Sequence, residues 1–230
     1  MRYQKIKTAL FLKRPNRFVA HVILDGKEEI VHVKNTGRCR ELLQPNARVI
    51  LEESQNPNRK TKYSLIAVYK DELLINMDSQ APNTVVWEGI KANKIDEIKH
   101  ITVLKKEVTY GQSRFDLYFE DQKNNKGFVE VKGVTLENHG VAMFPDAPTL
   151  RGTKHVQEMM RAVKEGYQGF IIFLVQMQGI KYFTPHRIMD QNFSAALKEA
   201  KESGVNILVF DAQVTENSIS FGKRIDYCLI

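Results

Sequence analysis

Apolar residues recur at every second position in Phe18, Ala20, Val22 and Leu24, the spacing by which a half-buried strand turns one set of side chains inward. Asp25-Gly26 follows as a tight hairpin turn before the next strand-like run. Runs at residues 17–24, 29–33, 48–52, 63–69 and 73–76 give five short strands over residues 1–80. That spacing fits a small closed barrel of the OB type.

From residue 81 the pattern changes. Ala81-Pro82-Asn83-Thr84 reads as a helix start, with Asn93 ending the helix. Strands are expected at 101–110, 114–120 and 127–133, and residues 134–150, rich in Gly, Pro and Asn, read as irregular. Val156, Met159, Met160 and Val163 then stand at i, i+3, i+4 and i+7, with Arg151, Lys154, Glu158 and Arg161 opposite and Gly166 as C-cap. The continuous apolar run 169–175 marks a buried central strand, and a helix over 194–203 leads through Gly204 into a strand over 205–210. The chain is therefore expected to be of mixed α+β to α/β class, with a domain boundary near residue 80. The run 225–230 is either a last strand or a dimer contact, which leaves a homodimer open.

Composition narrows the function classes. No run of about 18 uncharged apolar residues occurs, and the first 18 residues are broken by charge, so neither a membrane span nor a signal-peptide core is expected and a cytoplasmic location follows. Cys39 and Cys228 have no C-x-x-C partner, which argues against a zinc-thiolate site or disulfide framework and for inert thiols. The net charge of +7 is unevenly spread: residues 1–80 hold 15 Lys and Arg against 9 Asp and Glu, and residues 81–230 hold 19 against 18. The excess that suits a polyanionic partner lies in the first third.

Chemistry concentrates in two strands. In 114–119, alternation puts Phe115, Leu117 and Phe119 on one face and Asp116 on the other; in 128–132, Val129 and Val131 share one face and leave Glu130 and Lys132 together on the opposite one. The polar link DQKNNK makes the two strands an antiparallel hairpin that sets Asp116 across from Glu130, about 5 Å apart at their side-chain roots. Two carboxylates that close repel unless they share a cation, and hard oxygen ligands suit Mg²⁺ or Mn²⁺. Lys132 beside them would steady a phosphate or orient a water, the arrangement of metal-assisted phosphodiester chemistry.

These residues resemble the PD-(D/E)xK nuclease signature, with Asp116 as its first acid, Glu130-Val131-Lys132 as its E-x-K, and Phe115 where the pattern has proline. More specifically, the chain is similar to the sugar fermentation stimulation protein family. The resemblance rests on Asn35-Thr36-Gly37-Arg38, Ala81-Pro82-Asn83, the stretch from Gly111 to Asp116, the stretch from Glu130 to Leu136, Phe144-Pro145-Asp146-Ala147 and Arg151-Gly152-Thr153-Lys154-His155. It implies an N-terminal OB-like barrel joined to a restriction-endonuclease-like domain of αβββαβ order with a mixed central sheet, among proteins described as DNA-binding and inferred nucleases. It also implies a further acid from the first helix: Glu88 is best placed, Glu97 is the alternative, and Glu107 on the preceding strand could approach. On the later helix, Lys154 is the better phosphate contact, Arg151 assists at the phosphate, and His155 is expected to pack or cap.

In the basic barrel, Arg59, Lys60 and Lys62 form a loop beside Tyr63, an aromatic placed to stack on a base, and Arg14, Arg17, Arg38 and Arg40 extend that surface. The leading expectation is a Mg²⁺-dependent nuclease with nucleic acid as partner, DNA in preference to RNA. The reading from another class is a DNA-binding regulator of sugar metabolism genes that keeps a nuclease fold without physiological cleavage.

Overall fold

The computed structural model of the chain describes residues 1–35 and 37–229. Strands β1 (Ile6–Asn16), β2 (Val19–Leu24), β3 (Lys27–Val33), β4 (Arg48–Glu53), β5 (Tyr63–Lys70) and β6 (Leu73–Asn76) form one sheet in the order β3-β2-β1-β4-β5-β6. Parallel pairing of His32 with Ser64 and of Val33 with Leu65 joins β3 to β5, closing β1–β5 into a barrel. Closure removes the free edges that an open five-strand sheet would present.

β1 lies outside the sequence expectation. Only Ala9 and Phe11 of its residues are buried, and Lys7, Lys13 and Arg14 interrupt it, so its alternation is too short to register as a period. Phe18 corrects the expectation in the other direction. It precedes β2 and is 51% exposed, leaving Ala20, Val22 and Leu24 to carry the inward face. Thr36, in the turn expected at 35–38, lies outside the described residues, as does Ile230.

The rest of the chain runs through α1 (Ala81–Lys91), β7 (Ile101–Tyr110), β8 (Ser113–Asp121), β9 (Lys126–Val134), β10 (Leu136–Asn138), β11 (Val141–Phe144), α2 (Leu150–Lys164), β12 (Gln168–Val175), β13 (Tyr182–Pro185), α3 (Gln191–Glu202), β14 (Asn206–Thr215) and β15 (Ser218–Arg224). Six strands form a mixed sheet in the order β15-β14-β12-β9-β8-β7, with β12 parallel to β9 and β14 and the remaining pairs antiparallel. α1 packs Val85, Val86 and Ile90 in one core with Leu117, Val129 and Ile172, while α2 and α3 pack Val156, Met159 and Leu197 in the other with Phe128, Ile171 and Phe173. Layers on both faces explain why β12 is buried from Gly169 to Val175 and why its sequence is an unbroken apolar run.

The stretch expected to be irregular holds β10 and β11, a hairpin that β13 joins in parallel as a separate three-stranded sheet. The last strand is β15 rather than 225–230, where Tyr227 makes only an isolated bridge to Phe183. Among the described residues, no helix is long and apolar enough to cross a membrane.

The two cysteines prove chemically unlike. Cys39 is 1% exposed in the barrel core, and its thiol is pushed up to about 12, first by burial and then by nearby Asp146, whereas Cys228 is exposed. Since the thiolate is the reactive form, native protein at pH 8 should take up one equivalent of iodoacetamide, on Cys228, and two after denaturation. Peptide mapping that finds native Cys39 alkylated would contradict this.

Candidate active site

The hairpin between β8 and β9 is set by its turn. Asp121 Oδ1 accepts from the amides of Lys123 and Asn125 at 2.8 and 2.9 Å, and Asn124 takes the left-handed conformation, φ 62°. The ladder then runs from Glu120 paired with Lys126 to Leu117 paired with Val129, so that Asp116 and Glu130 come next in the count. There the backbone pairing gives way to a side chain: Val131 donates its amide to Asp116 Oδ2 at 2.8 Å.

The faces also depart from simple alternation. Leu117 packs in the core under α1, but the ring of Phe115 lies 5.1 Å from Phe128 and 6.3 Å from His155, on the side of α2. Asp116 stands where the strand changes sides. Asn83, in the first turn of α1, donates from Nδ2 to Asp116 Oδ1 at 2.8 Å, giving both carboxylate oxygens a protein donor. α1 can begin this close to β9 because residue 133 is glycine: a Cβ there would stand 2.7 Å from Pro82.

Glu130 is 3% exposed. Its Oε1 accepts from Lys132 Nζ and bonds His155 Nδ1, each at 2.6 Å. Arg151 Nε donates to His155 Nε2 at 3.4 Å, which makes Nε2 the acceptor and Nδ1 the nitrogen whose proton goes to Glu130. The other oxygen, Oε2, is buried without a hydrogen-bond partner among the described residues. Burial works against ionisation of Glu130, but His155 and Lys132 outweigh it and hold the carboxyl below its ordinary value. Asp116 goes the other way: burial and then the charge of Glu130 raise it, against weaker help from the Val131 amide, Lys132 and Asn83.

The donor set fits a hard divalent cation. A buried carboxylate oxygen without a donor, beside a second carboxylate that its charge disfavours, is an arrangement that a shared cation relieves on both counts. Mg²⁺ and Mn²⁺ take one or two carboxylates and complete their shell with water and substrate oxygen. Among the described residues no group of three or more His, Cys, Asp or Glu is arranged to hold a metal.

Other residues singled out in the sequence are scattered. Glu88 Oε2 holds the amino terminus of Met1 at 2.9 Å, Glu97 grips Arg224 at 2.6 Å, and Glu107 faces Arg114 at 3.5 Å; none is brought to the carboxylate pair. Lys154 and Arg151 are exposed on α2, where Lys154 Nζ reaches the Gln112 carbonyl at 3.4 Å. In the barrel, Arg59 donates to Ser64 Oγ at 3.0 Å, Lys62 pairs with Glu53 at 3.6 Å, and Lys60 and Arg38 are exposed. Tyr63 is 7% exposed, so its ring is core and not a stacking platform.

Two residues that touch the carboxylates are not among those the sequence points to for chemistry. Asn83 carries no charge to mark it. His155 was expected to pack or cap, and its place at the border of the apolar face of α2 was the available signal. His155→Ala should cost about 1.5–3 kcal/mol, the worth of a hydrogen bond to a charged group. Glu130 lies below its ordinary 4.5, so its contribution is present above that value and is lost as the pH falls through the folded one. The deficit of His155→Ala in urea denaturation should thus be largest near neutrality and shrink below pH 4.5; a pH-independent deficit would contradict the contact.

Comparison with known proteins agrees with this architecture. Residues 12–77 match the SfsA N-terminal OB domain and residues 80–218 match the sugar fermentation stimulation protein RE domain. The chain is 58% identical over 230 residues to a sugar fermentation stimulation protein homolog of Alkaliphilus oremlandii, covering 98% of each chain, and 52% identical over 230 residues to one of Clostridium novyi, covering 100% of each. A solved structure described as Pyrococcus furiosus SfsA in complex with Ca²⁺ matches with a TM-score of 0.90 at 26% identity, over 99% of this chain and 98% of that one. Matched along nearly its whole length and by both domain descriptions, the chain belongs to the sugar fermentation stimulation protein family.

Proposed function

We propose that this protein is a divalent-metal-dependent phosphodiesterase acting on nucleic acid, DNA in preference to RNA, with residues 81–230 carrying the chemistry and residues 1–80 the grip. The observation that carries this reading is Glu130: a buried carboxylate with Oε1 fixed by Lys132 and His155, Oε2 without a donor, and Asp116 beside it. The Ca²⁺ complex of the related Pyrococcus furiosus protein supports a hard cation in such a chain.

Asp116 and Glu130 would hold the cation, Mg²⁺ or Mn²⁺. When bound, it supplies Lewis-acid polarisation of a phosphoryl oxygen and lowers the pKa of a coordinated water. Asn83 and the Val131 amide orient Asp116; His155 fixes the Glu130 carboxylate. Lys132 places a positive charge where the phosphorus gains negative charge during attack, and its pre-set position spares reorganisation at that moment. Arg151 and Lys154, exposed on the helix that carries His155, contact flanking phosphates.

The test is incubation of purified protein with single-stranded DNA, duplex DNA and RNA in Mg²⁺, Mn²⁺ or EDTA. Cleavage that requires the cation is expected. Binding with no cleavage under any condition would favour the regulator that keeps a nuclease fold.

A further inference from the structure

A groove of about 780 Å³ lies on the barrel, and residues 59–62 are not part of its lining. Lys13, Arg14, Arg17, Arg38 and Arg40 line it, and no carboxylate does. Between these cations its wall is apolar, with Phe11, Leu43 and Ala147 among its members.

The cations divide into two kinds. Arg14 is structural: its guanidinium donates to the carbonyls of Gly37, Arg38, Arg17 and Asn35 at 2.5–2.9 Å, folding the loop after β3 against the turn after β1. The side chains of Arg17, Arg38 and Arg40 have no hydrogen-bond or ion-pair partner among the described residues, and all three are exposed. Phe18, which follows Arg17 in the chain and lies outside the groove's lining, is 51% exposed, and its amide donates to Asn16 Oδ1 at 2.9 Å. A phenyl ring left half in water adds little burial to the fold.

The groove is tied to the segment that precedes α2. Arg38 gives its amide to Asp146 at 3.0 Å, and the next residue, Ala147, lines the groove. Three residues later α2 begins, carrying Arg151, Lys154 and His155.

We propose that this groove is the docking site for a single nucleic-acid strand, with Arg17, Arg38 and Arg40 on its phosphates and Phe18 stacked on a base. The inference rests on the nucleic-acid reading above and adds the strand state of the substrate. Sequence-tolerant single-strand sites combine a basic groove with aromatic faces on which bases stack. The volume lies within the 300–1,000 Å³ of small-ligand clefts, the scale of a few nucleotides. Apolar wall between the cations suits exposed bases, which a paired helix keeps inside its stack.

The experiment is fluorescence anisotropy in EDTA with a labelled 15-nucleotide DNA strand, the same sequence as RNA, and the corresponding duplexes, over a salt series. Either single strand should bind at least about 10-fold more tightly than its duplex. Phe18→Ala should weaken single-strand binding roughly 5- to 160-fold, the range for loss of one stacked base, without changing the salt slope. Combined Arg17→Ala, Arg38→Ala and Arg40→Ala should flatten that slope by about 2, near 0.7 per phosphate contact on a single strand. All four side chains are exposed, and thermal melts check that the variants fold. Equal or tighter duplex binding, a Phe18→Ala variant that binds as wild type, or no binding at all would overturn the proposal. Cleavage is scored separately on gels with Mg²⁺. A protein that grips single strands but never cuts overturns the nuclease reading and leaves the groove standing; one that cuts while the groove variants bind as wild type does the reverse.

Discussion

Lys132→Ala is expected to lower metal-dependent cleavage by about 10²–10³-fold, the usual loss when one pre-set group facing transition-state charge is removed. Lys132 Nζ lies 2.6 Å from Glu130 Oε1, with a side chain 15% exposed, so its charge acts in a largely dry setting where it is weakly screened. The loss should fall on the rate of the bound complex rather than on cation affinity. After the substitution Glu130 Oε1 keeps its 2.6 Å bond to His155, and Asp116 keeps both of its donors, so the carboxylates stay oriented. Single-turnover cleavage together with a Mn²⁺ titration separates the two effects. Undiminished cleavage, or a loss recovered by adding more cation, would show that Lys132 serves only to hold Glu130.

Phe115→Ala should destabilise the protein by roughly 3–5 kcal/mol, the cost of deleting a buried phenyl ring and leaving its cavity. Phe115 is fully buried, 6.0 Å from Tyr110 and 5.1 Å from Phe128 between ring centroids, and stands edge-on to His155 at 6.3 Å. In a domain of this size that corresponds to a fall in Tm of roughly 10 °C. The ring does two things: it anchors β8 one residue before Asp116, and it walls the imidazole that fixes Glu130. Any folded Phe115→Ala protein should therefore also cleave poorly. A loss below about 1 kcal/mol in urea denaturation would mean that the ring is not a keystone of this corner.

What the sequence made legible follows from which signals are local. The hairpin of β8 and β9 was readable because its turn chemistry and its period-two faces both lie within a short stretch, and its register is the one the turn demands. β12 was readable because burial on both faces leaves an unbroken apolar run. β10, β11 and β13 were not: they are three or four residues long, and the parallel pairing of β11 with β13 joins segments far apart in sequence. β15 is not legible because only Ile219 and Phe221 alternate in it, and a two-residue signal carries little weight. Phe18 fitted the alternation of β2 and still lies in water, because the chain turns one residue before the strand begins.

Within the site, the charged trio is legible because the hairpin register sets Asp116 of β8 across from Glu130 of β9, with Lys132 two residues on. Asn83 and His155 act by hydrogen bond, and no pattern of charge betrays a donor. Helix α1 contributes Asn83 rather than Glu88 because Pro82 seats its first turn against Gly133, while Glu88, farther along, turns to the amino terminus.

The most direct measurement compares wild type with Asp116→Asn in Mg²⁺ and in EDTA, following cleavage and thermal unfolding together. Asp116 is held above its ordinary 3.8, so its ionised form opposes folding near neutrality, and that cost disappears as the pH falls through its folded value towards 3.8. Asparagine removes the charge and keeps an acceptor. In EDTA at pH 7 the variant should be no less stable than wild type; with Mg²⁺ it should show neither the cation-dependent rise in Tm nor the cleavage that wild type shows. An Asp116→Asn protein that still cuts nucleic acid in Mg²⁺ and is stabilised by it as wild type is would contradict the assignment of the carboxylate pair.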